Sequence, residues 1–359
     1  MPCSFFLMSE DHYTPVGQLV HSLPGGDGEV GLDLEADSLY RYAERICLVQ
    51  VCFGEEVKLV DPLDDQDMSP LVDWLRNARI WMHGADYDMS LMLGEWKLVP
   101  PFLYDTQIAA QLLGFQRFGY ASLVEQCFGV ELSKSSQKAD WGKRPLSERM
   151  LDYACDDVRY LLPLASRMEN DLKAKGRYDW FLQSCEGARN RVIQRESQEK
   201  ELWRINGSGR LKPDGLRYLK ALWQWRDAEA AAWNRPSFMV ATNKELLNWS
   251  QQLAEGRWPG LQGRKIRSDR RRRLDQAVEE ARSLPESDWP KRPKRERTKK
   301  DPTFESRLKV VLEKRNSIGS GLEIDPSLIA SRSVLEQIVG GRSTPEEILL
   351  PWQCELLEL

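Results

Sequence analysis

Between residues 29 and 96 the spacing of apolar residues switches repeatedly between every second position and every third or fourth, and this alternation restricts the fold more than any other feature. Glu29 to Glu35 sets Val30, Leu32 and Leu34 against Gly31, Asp33 and Glu35, the two-residue period of a strand. RICLVQVCF and VKLVDP read as further strands, MSPLVDWLRNA as a helix with Pro70 in its first turn, RIWMHG as a short buried strand, and ADYDMSLMLGEW as a helix. Helices are also predicted from Asp105 to Leu113, from Ala121 to Phe128, and as one run over LSERMLDYACDDVRYLLPLASRMENDLKA. Such a chain builds an α/β domain in which helices cover a mixed sheet, ending near residue 195.

A length of 359 residues leaves room for more than that domain. Beyond residue 200 strand signals nearly vanish, and Trp203, Trp223, Trp225, Trp233, Trp249 and Trp258 fall within 56 residues. Aromatic residues at helical spacing among Leu and Ala are more often core than platforms for bases, so a small helical domain is expected here. The segment 286–302, rich in Pro, Lys and Arg, reads as a basic linker, and 303–359 as a last helical segment. There DPSLIASRSVLEQI echoes RPSFMVATNKELLN at an offset of 90 residues through the Pro-Ser pair, a weak internal repeat.

The net charge of -4 conceals an asymmetry. Residues 1–120 carry 19 acidic and 7 basic side chains, a balance of -12, which leaves +8 for the remainder. Two ten-residue tracts, Arg264 to Arg273 and Lys291 to Lys300, each hold seven Lys or Arg and one acid. Arg264, Lys265, Arg267, Arg270, Arg271, Arg272 and Arg273 are therefore candidates for phosphate contacts, set against the plainer reading of a solvated face. No run of about 18 apolar residues suits a membrane span, and no basic-then-apolar leader opens the sequence, so a soluble protein of the cytoplasm is expected. Seven scattered cysteines without a C-x-x-C pair argue against disulfides and zinc, and three histidines leave carboxylates to carry any chemistry.

Asp33 and Glu35 stand two apart on a strand, so both project from one face with Cα atoms roughly 6.5–7 Å apart and can share a cation. Tyr153 and Asp157 are four apart on a helix whose apolar stripe contains Leu151, Ala154, Val158, Leu161 and Leu162, which brings them to a common face. Periodicity favours Asp157 over Asp156 without excluding the latter. Asp88 follows a buried strand near a helix start, and Asp86 competes with it.

Together these elements resemble the DEDD 3′→5′ exonuclease superfamily in its tyrosine subtype, most closely the ribonuclease D family. The similarity rests on GLDLEAD, on MHGADYDMSLM and on LDYACDDVRYLLPL with its Tyr-x-x-x-Asp, in that order, supported by LVDPL, YDTQIAAQLLG with Asp105 and Thr106, and KADWGKRPLSERMLDYA. It covers residues 28–170 strongly. LKALWQWRDAEAAAWNRPSFMVATNKELL resembles, more loosely, the helical HRDC module associated with nucleic acids, and the tail a degenerate second copy.

The resemblance implies an α/β, ribonuclease H-like mixed sheet flanked by helices, followed by one or two all-α HRDC domains. The expected division is an exonuclease domain over 1–195, an HRDC domain over 208–285, the linker over 286–302 and a second HRDC-like domain over 303–359. It also implies a hydrolase that shortens RNA from a free 3′ end to 5′-monophosphates, with tRNA precursors as substrate. In such sites two divalent cations, Mg²⁺ or Mn²⁺, stabilise the attacking and leaving oxygens. By position Asp33 would bridge both ions, Glu35 and Asp157 would complete the site of the attacking water, Asp88 would support the second ion, and Tyr153 would orient the water. A DNA exonuclease and a non-catalytic RNA-binding protein are the alternatives. Neither a membrane nor a protein partner is implied.

Overall fold

The computed structural model describes residues 12–25, 28–133, 135–197, 201–258, 267–292 and 302–359. The described residues divide into two compact units, one within 1–36, 45–197 and 298–359, the other within 37–44 and 198–297.

The first unit is built on strands β1 (Glu29–Ala36), β2 (Ile46–Phe53), β3 (Glu56–Val60), β4 (Arg79–Met82) and β5 (Leu103–Asp105). Their order is β3-β2-β1-β4-β5, with β1 antiparallel to β2, β2 antiparallel to β3, and β1, β4 and β5 mutually parallel. This is the mixed α/β sheet expected from the alternation. Helices α1 (Val16–Ser22), α2 (Ser69–Leu75), α3 (Asp86–Trp96), α4 (Thr106–Leu113), α5 (Tyr120–Phe128), α6 (Glu148–Arg159), α7 (Leu161–Ala174) and α8 (Tyr178–Ser197) accompany it. The pleat divides β1 between two environments. Val30, Leu32 and Leu34 enter a core with residues of α1, α2 and α3, while Gly31, Asp33 and Glu35 face the other way. On that second face a Cβ at Gly31 would lie 2.5 Å from the Cys52 sulfur and 3.1 Å from Leu161, so only glycine lets α7 pack this closely against the central strand.

The run expected as a single helix is instead two, α6 and α7. Pro163 has no N–H for the carbonyl four residues back, and its ring crowds that carbonyl. The helix therefore breaks at Tyr160 (φ -99°, ψ 2°), whose freed N–H donates to the Tyr120 hydroxyl at 3.2 Å. The structure also adds α1, β5 and α8, which the sequence pattern did not single out.

The segment 303–359 is helical and buries its apolar side within the first unit. In the second unit, α9 (Pro213–Trp233), α10 (Ser237–Val240), α11 (Asn243–Ala254) and α12 (Ser268–Ser283) enclose a core containing Trp203, Trp225 and Trp249. These three tryptophans are core residues, whereas Trp233 is 48% exposed and Trp258 37%. A Thr242–Glu245 capping box starts α11, satisfying amides that a helix's first turn leaves orphaned. Of the stretch expected as a linker, residues 293–301 lie outside the described residues, while Trp289 stacks under Arg217 at 4.2 Å.

Helices α13 (Phe304–Leu322), α14 (Pro326–Ile329), α15 (Arg332–Val339), α16 (Pro345–Ile348) and α17 (Pro351–Leu357) complete the chain. Leu308, Ile324, Ile329, Leu335 and Trp352 share a core with Leu112, Leu164, Leu172 and Phe181. The Arg177 side chain joins the segments, donating to the carbonyl of Leu112 at 2.6 Å and to that of Leu322 at 2.7 Å. Gly114, at φ +91°, ends α4 where a Cβ would fall 2.3 Å from the Glu323 carbonyl. The repeat seen in the sequence recurs as local structure. Both α10 and α14 are four-residue helices followed by an extended alanine, Ala241 and Ala330, and each alanine carbonyl accepts from an arginine of the preceding long helix, Arg226 at 3.2 Å and Arg315 at 2.9 Å.

Candidate active site and metal centre

Three elements bring acids to one place. Strand β1 supplies Asp33 and Glu35 from its helix-covered face, the first turn of α3 supplies Asp88, and α6 supplies Tyr153 and Asp157 one turn apart. Carboxylate oxygens of Asp33, Glu35 and Asp157 all lie within 4.8 Å of one another, and Asp88 is close enough to act electrostatically on both β1 acids. The Tyr153 hydroxyl donates to the Asp157 carboxylate, and its ring lies 6.1 Å from that of Trp141, a fully buried side chain.

The structure separates each acid from its competitor. Asp86 turns outward and pairs with Arg195 at 2.9 Å, while Asp88 is buried. Asp156 pairs with Arg159 at 2.8 Å, and Asp152 is exposed. Side-chain direction on a helix changes by about 100° per residue, so neighbouring acids meet different surroundings.

Burial and mutual repulsion dominate the electrostatics. Burial first, then the charges of Asp88, Asp157 and Glu35, raises the Asp33 carboxyl well above its ordinary value. Glu35 is raised by burial and then by Asp157 and Asp88. Asp88 and Asp157 are each pushed up to about 7, again chiefly by burial, with the Tyr153 hydrogen bond opposing the rise at Asp157. The Tyr153 phenol is raised by burial and by the acids around it, so it stays protonated at neutral pH and keeps a proton to donate. Among the described residues, no Lys or Arg forms an ion pair with any of the four acids. Crowded carboxylates of this kind want cations. The all-oxygen donor set fits Mg²⁺ or Mn²⁺ rather than a metal that selects sulfur or imidazole.

One more polar residue faces this cluster. Gln50 stands directly opposite Asp33 in the β1–β2 ladder, so both side chains emerge on one face; it is fully buried, and neither atom of its amide has a partner. The sequence signal was a lone polar residue inside the continuous apolar run ICLVQVCF. The hydroxyl of Tyr120, on α5, also lies within the field of Asp157 and Asp33.

Of the basic tract, Arg264 and Lys265 lie outside the described residues. Arg270 and Arg273 converge from α12 on the buried Glu229 of α9, and Arg270 stacks on Trp233 at 5.0 Å. Arg271 pairs with Asp275 and stacks on Trp258 at 5.3 Å, Arg267 pairs with Asp269, and Arg272 is exposed. Two of the arginines thus hold one helix to another, while Arg267, Arg271 and Arg272 present charge outward. Among the described residues, no helix is long and apolar enough to cross a membrane.

Comparison with known proteins gives a consistent result. A family profile described as 3′-5′ exonuclease matches residues 16–173, which contain all five residues of the acidic site. The chain is 31% identical over 319 residues to ribonuclease D of Haemophilus influenzae, covering 86% of this chain and 79% of that protein. It superimposes on the crystal structure of Escherichia coli RNase D, an exoribonuclease involved in structured RNA processing, with a TM-score of 0.71 and 27% identity over 95% of this chain and 92% of that one. A protein from Bifidobacterium adolescentis shares the fold at a TM-score of 0.78 and 22% identity, over 95% and 92% of the two chains. The chain belongs to the ribonuclease D family.

Proposed function

We propose that this protein removes nucleotides one at a time from RNA 3′ ends, releasing 5′-monophosphates, with Asp33, Glu35, Asp88 and Asp157 as the ligands of two divalent cations and Tyr153 as the residue that orients the attacking water. The convergence of Asp33, Glu35 and Asp157 oxygens within 4.8 Å, with Tyr153 donating to Asp157, carries this reading. Bound cations would neutralise the cluster, admit the scissile phosphate and stabilise the attacking and leaving oxygens of an in-line displacement. Asp33, flanked on its own strand by Glu35 and facing both helices, is the acid suited to bridge two cations. Tyr153 acts as a donor and not as a base, because its surroundings hold the proton on the phenol oxygen.

The second unit and the tail, read as HRDC-like domains over 208–285 and 303–359, would supply attraction for the RNA backbone. Arg267, Arg271 and Arg272 with Arg264 and Lys265 would contact phosphates, and Arg270 and Arg273 would add charge from their places beside Glu229. Precursor tRNA is the proposed substrate, supported by the part of Escherichia coli RNase D in structured RNA processing, and the cytoplasm the proposed compartment.

The test is digestion of matched RNA and DNA oligomers with free or blocked 3′ ends, with Mg²⁺ or Mn²⁺ or with EDTA. Shortening of free-ended RNA that requires metal and vanishes in Asp33→Asn is the expected result. Removing only the Tyr153 hydroxyl, as in Tyr153→Phe, should be milder than Asp33→Asn, because it takes away a positioning group and leaves the ligands intact. Equal cleavage of DNA would favour a general exonuclease, and binding without shortening a non-catalytic RNA-binding protein. A precursor tRNA with a 3′ trailer, placed in competition with unstructured RNA, tests the substrate.

A further inference from the structure

The acid from α3 is placed by a loop that does not hold itself. Three residues, His83, Gly84 and Ala85, join β4 to α3; Gly84 takes the left-handed conformation at φ +68°, and Ala85 at the helix start has no side chain that can cap. The amides there are instead satisfied by a residue 20 positions away in sequence. One Asp105 carboxylate oxygen accepts from Gly84 N–H at 2.9 Å and from Gln107 N–H at 2.7 Å, and the other accepts from Ala85 N–H at 3.0 Å. A single buried aspartate therefore caps its own helix, α4, and the start of α3 together, with its charge at both helix N-termini.

Its neighbour completes the fastening. The fully buried Thr106 hydroxyl donates to the Met82 carbonyl at 3.1 Å and lies 2.9 Å from His83 Nδ1. With its own proton committed to that carbonyl, Thr106 accepts from Nδ1–H, which fixes the His83 tautomer. Every residue from Met82 to Ala85 is thus tied to Asp105 or Thr106, and Asp88 follows within the first turn.

We propose that Asp105 is a positioning residue for the metal site, setting where α3 begins and hence where the Asp88 carboxylate stands. The inference rests on the reading of Asp88 as a cation ligand. Groups that orient ligands in this way typically contribute about 10–100-fold in metal affinity or activity.

Two variants of the full-length chain test it. Asp105→Ser retains an oxygen able to cap α4 but too short for the α3 loop, which keeps the fold; Asp105→Asn leaves the shared oxygen in place and turns an NH₂ toward the Ala85 N–H. Three measurements apply to each: hydrogen exchange of the peptide spanning residues 82–92, Mn²⁺ affinity by calorimetry, and the Mg²⁺ concentration giving half-maximal cleavage of a labelled RNA. The expected result is loss of protection at Gly84 and Ala85, a Mn²⁺ dissociation constant and Mg²⁺ requirement raised about 10–100-fold, and a KM for RNA changed less than about twofold while excess Mg²⁺ restores rate. A merely structural role would lower thermal stability and leave the Mg²⁺ requirement of the surviving folded fraction unchanged. That outcome, or wild-type Mn²⁺ affinity in both variants, overturns the proposal. Should the wild-type chain itself show no metal-dependent cleavage, the reading of Asp88 fails on that arm, while exchange and calorimetry still judge the role of Asp105.

Discussion

Replacing Asp157 with asparagine should make the metal-free protein more stable and the enzyme inactive, and the size of the first effect follows from the site. Burial pushes the Asp157 carboxyl from an ordinary 3.8 up to about 7. Keeping such a group ionised in the fold at pH 8 costs roughly 4 kcal/mol at most, taking about 1.4 kcal/mol for each tenfold shift. Asparagine removes that charge, relieves the repulsion on Asp33 and Glu35, and keeps an oxygen to accept from Tyr153. A group raised in the folded state destabilises in full above its folded value and not at all below its unfolded one. The advantage of Asp157→Asn should therefore be greatest at pH 8 and shrink steadily toward pH 4. In EDTA at pH 8 a gain of roughly 5–10 °C in Tm is expected, after allowing for relaxation around the smaller charge. Saturating Mg²⁺ should close or reverse the gap, since a hundredfold excess over Kd stabilises the wild type by about 2.7 kcal/mol and the variant by far less. Differential scanning calorimetry across pH, with EDTA and with Mg²⁺, makes the comparison. A variant no more stable than wild type in EDTA at pH 8, a pH-independent gain, or equal stabilisation of both by Mg²⁺ would refute the account of a repulsive, cation-seeking cluster.

Other expectations follow from the packing. Arg177→Met should lower Tm by several degrees, because the buried carbonyl of Leu112 and the half-buried one of Leu322 lose their donor, the first at about 1–3 kcal/mol. Gly114→Val should weaken the seating of residues 302–359, read as faster proteolysis of that segment, since the added Cβ meets the Glu323 carbonyl in a backbone conformation that valine resists. Glu229→Gln should destabilise the second unit by about 1–3 kcal/mol, read by hydrogen exchange of the α9 and α12 peptides in rising urea, because Arg270 and Arg273 lose their shared carboxylate. Changing Arg267, Arg271 and Arg272 to glutamine should weaken RNA binding alike for all sequences and flatten its salt dependence by about one unit of log-log slope per lost phosphate contact; an unchanged slope returns them to the solvated surface.

The alternation of strand and helix, and with it the mixed sheet, is legible in the order of residues alone, because a period of two or of three to four is fixed by backbone geometry before any tertiary contact forms. Asp33 with Glu35, and Tyr153 with Asp157, were legible for the same reason: each pair shares a face through its own element's repeat. The break between α6 and α7 is written at Pro163 as well, inside an apolar stripe whose period would otherwise continue the helix.

Other features depend on contacts between elements far apart in the chain. Asp86 is drawn outward by Arg195, 109 residues on, which leaves Asp88 as the buried acid of that helix turn. The burial of Gln50 opposite Asp33 depends on the β1–β2 register, and the capping of α3 by Asp105 depends on β5 lying beside β4. A local pattern carries periodicity. It cannot carry which distant residue satisfies an orphaned amide or a crowded charge, because those partners are brought near only when the sheet closes.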